Sequence, residues 1–442
     1  MDAPTRIGFV YCNEHLAGTI TEYSVQAGYE YEFRYDASYL QSGFSKIGIN
    51  LPLTEAPLRK SHLPAFFTNL MSEGWVKRHQ AQLARLDVED KFGLLLAHGA
   101  ELIGPIKILP SLLKEEDVGH IPELPQKSLK GFTIDFARDE FNEVAIRSLG
   151  RASISGVQPK MFLTHKAGAR RTLTASVGIG PYIVKPSPKD LPHLAVNEFI
   201  IMRLCQLVGF NVADHDLVPF SCGELAYVTG RFDLDAAGRS IGFIEDLASV
   251  MDVAPGNKSS EALSYEHALK VAHVSSGYHA QVLRDGFLQV LMAYLVGNND
   301  LHMKNMSLIR PLNSDTATGF SKIYDMVSVA PYKEYDGSEL SIWLMESEVK
   351  DAKSTSSYDN YGYYTEHDFV VFAAQLGLDQ KAAKKLIHTL VKKVSQNLDK
   401  AFDIVPDFDD LKRVMRERIH ARMDTMSRPW LWGENKVSPP KK

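Results

Sequence analysis

The apolar residues of this chain change period part-way along, and that change restricts the fold to one with a strand-rich first part and a helical second part. Tyr29, Tyr31, Phe33 and Tyr35 alternate with Glu30, Glu32 and Arg34, the period-two pattern of a half-buried strand. Gly18-Thr19-Ile20 and Ile106-Lys107-Ile108-Leu109 read as further strands, and residues 63–75 and 76–86 as helical patches. From about residue 260 the period becomes 3.6. Residues 265–273, 286–297, 365–376, 380–398 and 408–426 each carry one apolar face. The expected class is α+β, in two lobes, with a β-rich N-terminal subdomain at 1–110 and an all-helical C-terminal lobe at 256–442. Between them lie a linker at 111–130, marked by Glu115-Glu116-Asp117 and Pro122 and Pro125, and an alternating strand–helix segment at 131–255.

Bulk properties narrow the function. A net charge of −5 gives no global attraction to nucleic acid, although a local basic face stays open. Cys12, Cys205 and Cys222 are widely spaced and form no disulfide framework, which fits a reducing, cytoplasmic setting. No signal peptide is expected, because the first residues lack a continuous apolar stretch. Apolar runs such as 290–296 are too short to cross a bilayer, so no membrane partner is expected.

Three constellations carry chemistry. Ser153-Ile154-Ser155-Gly156-Val157-Gln158-Pro159-Lys160 reads as a Gly-containing turn between strands, where backbone N–H groups can approach a phosphate. Alone it is weak, since one Gly in a hairpin is usually a turn. Lys185 ends the apolar strand Tyr182-Ile183-Val184, and a buried ammonium needs a partner. Glu198, on the helix expected over 193–208, is a candidate, though an unrelated surface Lys and helix Glu explain the pair equally well. The third set is Asp300, Asn305 and Asp325. Asp300 and Asn305 follow an apolar helix inside Asp300-Leu301-His302-Met303-Lys304-Asn305, and Asp325 lies beyond in Ile323-Tyr324-Asp325. Protein kinases space a catalytic-base Asp, a metal-binding Asn and a metal-binding Asp in nearly this way. Lys304 is placed to neutralise charge on a transferring phosphoryl group. His302, with no second His at ligand spacing, is expected to hold the loop by hydrogen bonds. Phosphate loop, strand Lys, helix Glu, catalytic Asp/Asn and metal Asp follow one another in kinase order.

These motifs together resemble the HipA family of bacterial serine/threonine kinases, toxins of type II toxin–antitoxin pairs. Residues 153–160 are similar to its S-x-x-G-x-Q-x-K loop, residues 300–305 to its D-x-H-x-K-N, and Tyr324-Asp325 to its Y-D metal site. Phe66-Phe67-Thr68-Asn69-Leu70 resembles its N-terminal helix, Arg231-Phe232-Asp233 its hinge, and Glu245-Asp246 an acidic pair beyond it. The resemblance spans nearly the whole chain and implies a kinase-like fold that uses ATP and Mg²⁺. It implies Asp300 as base, Asn305 and Asp325 as Mg²⁺ ligands, and Lys185 on ATP phosphates. It further implies an ATP loop of Ser155, Gly156, Val157, Gln158, Pro159 and Lys160, an adenine pocket lined by Thr229, Gly230, Arg231 and Phe232, and autophosphorylation at Ser153. A phosphate on Ser153 would repel ATP phosphates and expel the loop. Leu301 departs from the family, where several members carry Gly or Asp. The partners implied are a small helix-turn-helix antitoxin (HipB-like), operator DNA through that complex, and a protein substrate of the aminoacyl-tRNA synthetase kind.

On the helix over 380–398, Lys381, Lys384, Lys385 and Lys392 share one face, with Leu386, Leu390 and Val394 broadly opposite. The bland reading is a solvated face; the sharper one is contact with DNA phosphates. Two rival functions stay open: a metal-dependent phosphohydrolase using Asp300, His302 and Asp325 as ligands, and a non-catalytic scaffold that binds a repressor.

Overall fold

The computed structural model describes residues 4–26, 28–114, 123–149, 152, 154, 156 and 158–428. Ser153, Ser155 and Val157 of the 153–160 segment, and residues 115–122 of the expected linker, lie outside them. Two compact units emerge. One joins residues 1–195, 213–255 and 307–318; the other joins 196–212, 256–306 and 319–442. The class is mixed α+β, sheet-rich toward the N-terminus and helical toward the C-terminus.

The first unit holds two large sheets and one smaller strand pairing. In the N-terminal sheet, strands run in the order Leu58–Lys60, Gly28–Tyr35, His15–Val25, Pro4–Cys12 and Ile106–Leu109, all antiparallel. Phe33 and Tyr35 point into the core as the alternation requires, but Glu32 on the opposite face is also buried, held by Arg59 at 2.6 Å. Helices Ala65–Asn69, Gly74–Ala84 and Lys91–His98 cover this region. The break between the first two falls earlier than the sequence suggests. Gly74 takes a left-handed backbone (φ +52°), so the chain turns there and Trp75 enters the second helix.

The second sheet has the order His215–Pro219, Leu225–Gly230, Tyr182–Pro186, Met161–His165, Thr172–Ala175 and Thr133–Ile134. Pro219 and Leu225 close a hairpin with Cys222, an exposed thiol, at its tip. Upstream of the 153–160 loop the chain is a helix, Phe141–Leu149, where a strand was expected. Its entry is capped by Glu140, whose carboxylate accepts from Ala137 N–H at 2.7 Å, and Phe141 and Ala145 are both fully buried at helical spacing. The strand Phe243–Asp246 pairs with Ser307–Arg310, a strand within the range expected to be all helical.

The second unit is built around the helix Ala280–Val296, whose residues from Phe287 on are almost all buried. Tyr265–Ser275, Gln380–Phe402 and Asp409–Thr425 pack against it. Among the described residues, no helix is long and apolar enough to cross a membrane.

Candidate active site

In the second unit the helix Ala280–Val296 stops at Gly297, which is left-handed (φ +69°) and bonds back to Ala293 and Tyr294 carbonyls. Asn298 then receives the N–H of Asp300 on its Oδ1 at 2.9 Å. The Asp300 carbonyl accepts twice, from His302 N–H at 2.7 Å and from Asn305 Nδ2 at 3.0 Å. That second bond fixes the Asn305 amide, leaving its Oδ1 as a hard donor. Leu301 is fully buried, and its carbonyl accepts from Tyr265 hydroxyl at 2.6 Å. The departure from the family at this position therefore anchors the loop from inside. His302, Lys304 and Asn305 are also buried, while Asp300 itself is exposed.

The segment bearing Asp325 is tied to this loop. Tyr324 hydroxyl donates to the Lys304 carbonyl at 2.8 Å, so the neighbours of Asp325 and of Asn305 are bonded to each other. Ile323 N–H bonds to the Asn211 carbonyl at 2.8 Å, and Asp325 itself is left-handed (φ +59°), which turns its side chain off the line of the strand. Beyond it, Ser328 is bracketed by Asn197: its N–H donates to Asn197 Oδ1 at 2.9 Å and its carbonyl accepts from Nδ2 at 2.7 Å. Asn197 is fully buried, as is Glu198 beside it, on the helix Leu194–Val208. Asn197 and Asn298 were not singled out from sequence as functional. The only signal was an amide within a largely apolar helix or just past the end of one.

In the first unit Lys185 sits within the strand Tyr182–Pro186, buried, with its ammonium 5.6 Å from the centre of the Tyr227 ring opposite. Gln158 Nε2 donates to the Pro186 carbonyl at 3.3 Å, bringing the 156–160 loop to the end of that strand. Gly156 is left-handed (φ +105°), and a Cβ there would collide with Lys160 Nζ. Pro159 is half-buried and Lys160 buried. Thr229 and Gly230 end the strand Leu225–Gly230. Gly230 N–H is taken by the Asp214 carbonyl and Arg231 N–H by the Pro181 carbonyl. The Arg231 guanidinium is committed to Asp233 through a buried two-bond pair at 2.9 and 2.6 Å, while Phe232 is half-buried.

The expected residues thus fall into two sets. Gly156, Gln158, Pro159, Lys160, Lys185 and Thr229–Phe232 belong to the first unit; Glu198, Asp300, His302, Lys304, Asn305 and Asp325 belong to the second. Among the described residues no group of three or more His, Cys, Asp or Glu side chains could hold a metal ion.

Comparison with known proteins is decisive for the family. Residues 152–398 match the model of the HipA-like C-terminal domain and residues 9–109 that of the HipA N-terminal domain. The chain belongs to the HipA-like family. A Haemophilus influenzae protein named as a kinase is 33% identical over 325 residues, covering 70% of this chain and 90% of that one. The serine/threonine-protein kinase toxin HipA of Shewanella oneidensis is 23% identical over 405 residues, 85% of each chain. In fold, the chain is similar to HipA in the Shewanella oneidensis complex of HipA, HipB and operator DNA, with TM-score 0.71 and 20% identity, covering 95% of this chain and 97% of that one.

The HipA-like C-terminal match ends within the helix Gln380–Phe402. There Lys381, Lys384, Lys385 and Lys392 are all exposed, and Ala383, Ile387, Leu390, Val394 and Leu398 are buried. Leu386 is only half-buried; Ile387 takes the inward place assigned to it, a rotation of one residue.

Proposed function

We propose that this HipA-like chain is an ATP- and Mg²⁺-dependent protein serine/threonine kinase, the toxin of a toxin–antitoxin pair. The reading rests on one arrangement above all: an exposed Asp300 whose carbonyl orients the Asn305 amide, with the Asp325 segment bonded to the same loop through Tyr324. Asp300 would orient the attacking hydroxyl and accept its proton. Asn305 and Asp325 offer one amide oxygen and one carboxylate, a hard and sparse donor set that suits Mg²⁺ sharing its shell with phosphates. The ion, when bound, neutralises phosphate charge. Lys304 and His302 would complete and hold the loop. Lys185 and Lys160 would bind phosphates beside Gly156, Gln158 and Pro159, with Thr229–Phe232 facing the adenine, and Glu198 is assigned to nucleotide binding from the family pattern. Ser155 and Val157 are assigned to the same loop, and Ser153 to autophosphorylation, from the family pattern.

Partners follow from the same family. A HipB-like helix-turn-helix antitoxin would bind the chain, operator DNA would be reached through that complex and the four exposed lysines, and the substrate would be a protein such as an aminoacyl-tRNA synthetase. The setting would be cytoplasmic. The domain boundaries proposed from sequence serve these roles: 131–255 for nucleotide binding, 256–442 for catalysis.

Intact mass after incubation with Mg-ATP tests the core of the reading. Wild type should gain the mass of a phosphate and Asp300→Asn should not, while both fold alike by circular dichroism. Equal gain in both would remove Asp300 from the role of base.

A further inference from the structure

Beyond Asp325 the chain runs through an irregular stretch before the helix Glu346–Lys350. Three side chains pin this stretch within the second unit. Asn299, the residue before Asp300, donates from Nδ2 to the carbonyls of Tyr335 at 2.8 Å and Ser338 at 3.3 Å. Arg418 grips Asp336 with both terminal nitrogens, Nη1 to Oδ1 at 2.8 Å. Arg422 pairs with Glu339, which also accepts from Tyr364 N–H at 3.2 Å.

The two arginines are themselves braced. The Arg418 stem lies on the left-handed cap Gly297, where a Cβ would stand 2.7 Å from its Cγ. The Arg422 guanidinium lies over the Tyr294 ring at 4.5 Å. Both sit on Asp409–Thr425, beyond the residues matched by the family model. One helix therefore reaches the cap from which the Asp300 loop departs and also the stretch that Asn299 touches.

In protein kinases the segment after the metal-binding Asp is commonly ordered when an added phosphate meets an arginine. Here Asp336 and Glu339 are partners for Arg418 and Arg422 that the chain itself encodes, paired with them in the fold. We propose that Arg418 and Arg422 are positioning residues that hold residues 335–339 against the catalytic loop by carboxylates built into the chain, so that this segment needs no phosphorylation to be ordered for protein substrate. The proposal rests on the kinase reading above, and it concerns positioning: neither arginine is assigned contact with ATP.

The test starts from phosphatase-treated protein and follows phosphate incorporated into the chain by intact mass. Wild type should proceed from time zero without a lag. Arg418→Gln should lower kcat by roughly tenfold or more, the scale of a small misplacement of reacting groups, while the Kd of a non-hydrolysable ATP analogue moves less than about twofold, as expected of a group that acts on geometry alone. The charge-reversed pair Arg418→Asp with Asp336→Arg should recover most of the rate, which a general loss of packing would not allow. A lag abolished by prior phosphorylation within 330–345, or an unchanged kcat in Arg418→Gln, would overturn the proposal. Amide exchange separates this from the kinase reading. If wild type transfers no phosphate, the kinase reading fails, but faster exchange at 335–340 in Arg418→Gln would still uphold the clamp and unaltered exchange would sink it.

Discussion

At the residue scale, several side chains are held in states that cost stability. Asp325 occupies the left-handed region without being Gly or Asn, a conformation that costs on the order of 1 kcal/mol. Asp325→Gly should thus raise the unfolding temperature slightly while abolishing Mg²⁺-dependent transfer, checked by thermal melt and mass gain on the same sample. Glu245 is a second case. It is buried in the first unit, accepting from Ile49 N–H at 3.0 Å and Ser249 Oγ at 2.8 Å. Burial pushes its carboxyl up from 4.5 to about 7, Arg310 nearby opposing the rise. The folded form then holds a proton that the unfolded form has released, so stability falls as pH rises from about 4.5 through about 7. Glu245→Gln should flatten that fall, by roughly 1–3 kcal/mol between pH 5 and 8, read from denaturant midpoints; an identical pH dependence in the variant would count against the assignment. The Asp, Asn and Asp of the candidate site were legible in sequence because their chemistry is uncommon at that spacing. The amides that orient them were not, since Asn197 works through Ser328 and Tyr332, partners brought close by the fold.

At the element scale, the long helices were legible because a 3.6-residue period repeated over several turns averages out single exceptions. Short elements offer no such averaging. The break at Gly74 depends on one backbone angle, and Phe141–Leu149 depends on a cap contributed by Glu140. The lysine face of Gln380–Phe402 shows both the strength and the limit of periodicity: its exposed side was read correctly, its buried side one residue out of phase at Leu386. If that face meets operator phosphates in the antitoxin complex, replacing Lys381, Lys384, Lys385 and Lys392 by Ala should weaken operator binding and reduce the salt slope by as much as about 3–4. Titrations of the complex at several salt concentrations measure this, and an unaltered slope would return the face to plain solvation.

For the whole molecule, sequence could assign the class but not the long-range closures. The N-terminal sheet region is bonded to segments far along the chain. Asn50 Nδ2 donates to the carbonyls of Ser249 and Val250, Lys60 pairs with Asp252, and Asn69 Nδ2 donates to the Val253 carbonyl at 2.9 Å. Arg310, almost wholly buried, reaches Ser45 Oγ at 2.9 Å and stacks on Phe243. Such pairings separate residues by hundreds of positions and leave no local trace. They also make a testable claim: a chain lacking residues 1–110 should expose a buried arginine and carboxylate and fail to fold cooperatively, as read by soluble yield and melting. A truncated chain that melts sharply near the full-length temperature would contradict it. Of the three thiols, Cys12 and Cys205 are buried, and burial lifts them to about 11 and about 12. Cys222 alone stands outside, at the tip of the hairpin that runs down to Thr229 and Gly230. A maleimide fluorophore would therefore attach at one known address without any engineered mutation, and could report nucleotide titrations in native protein.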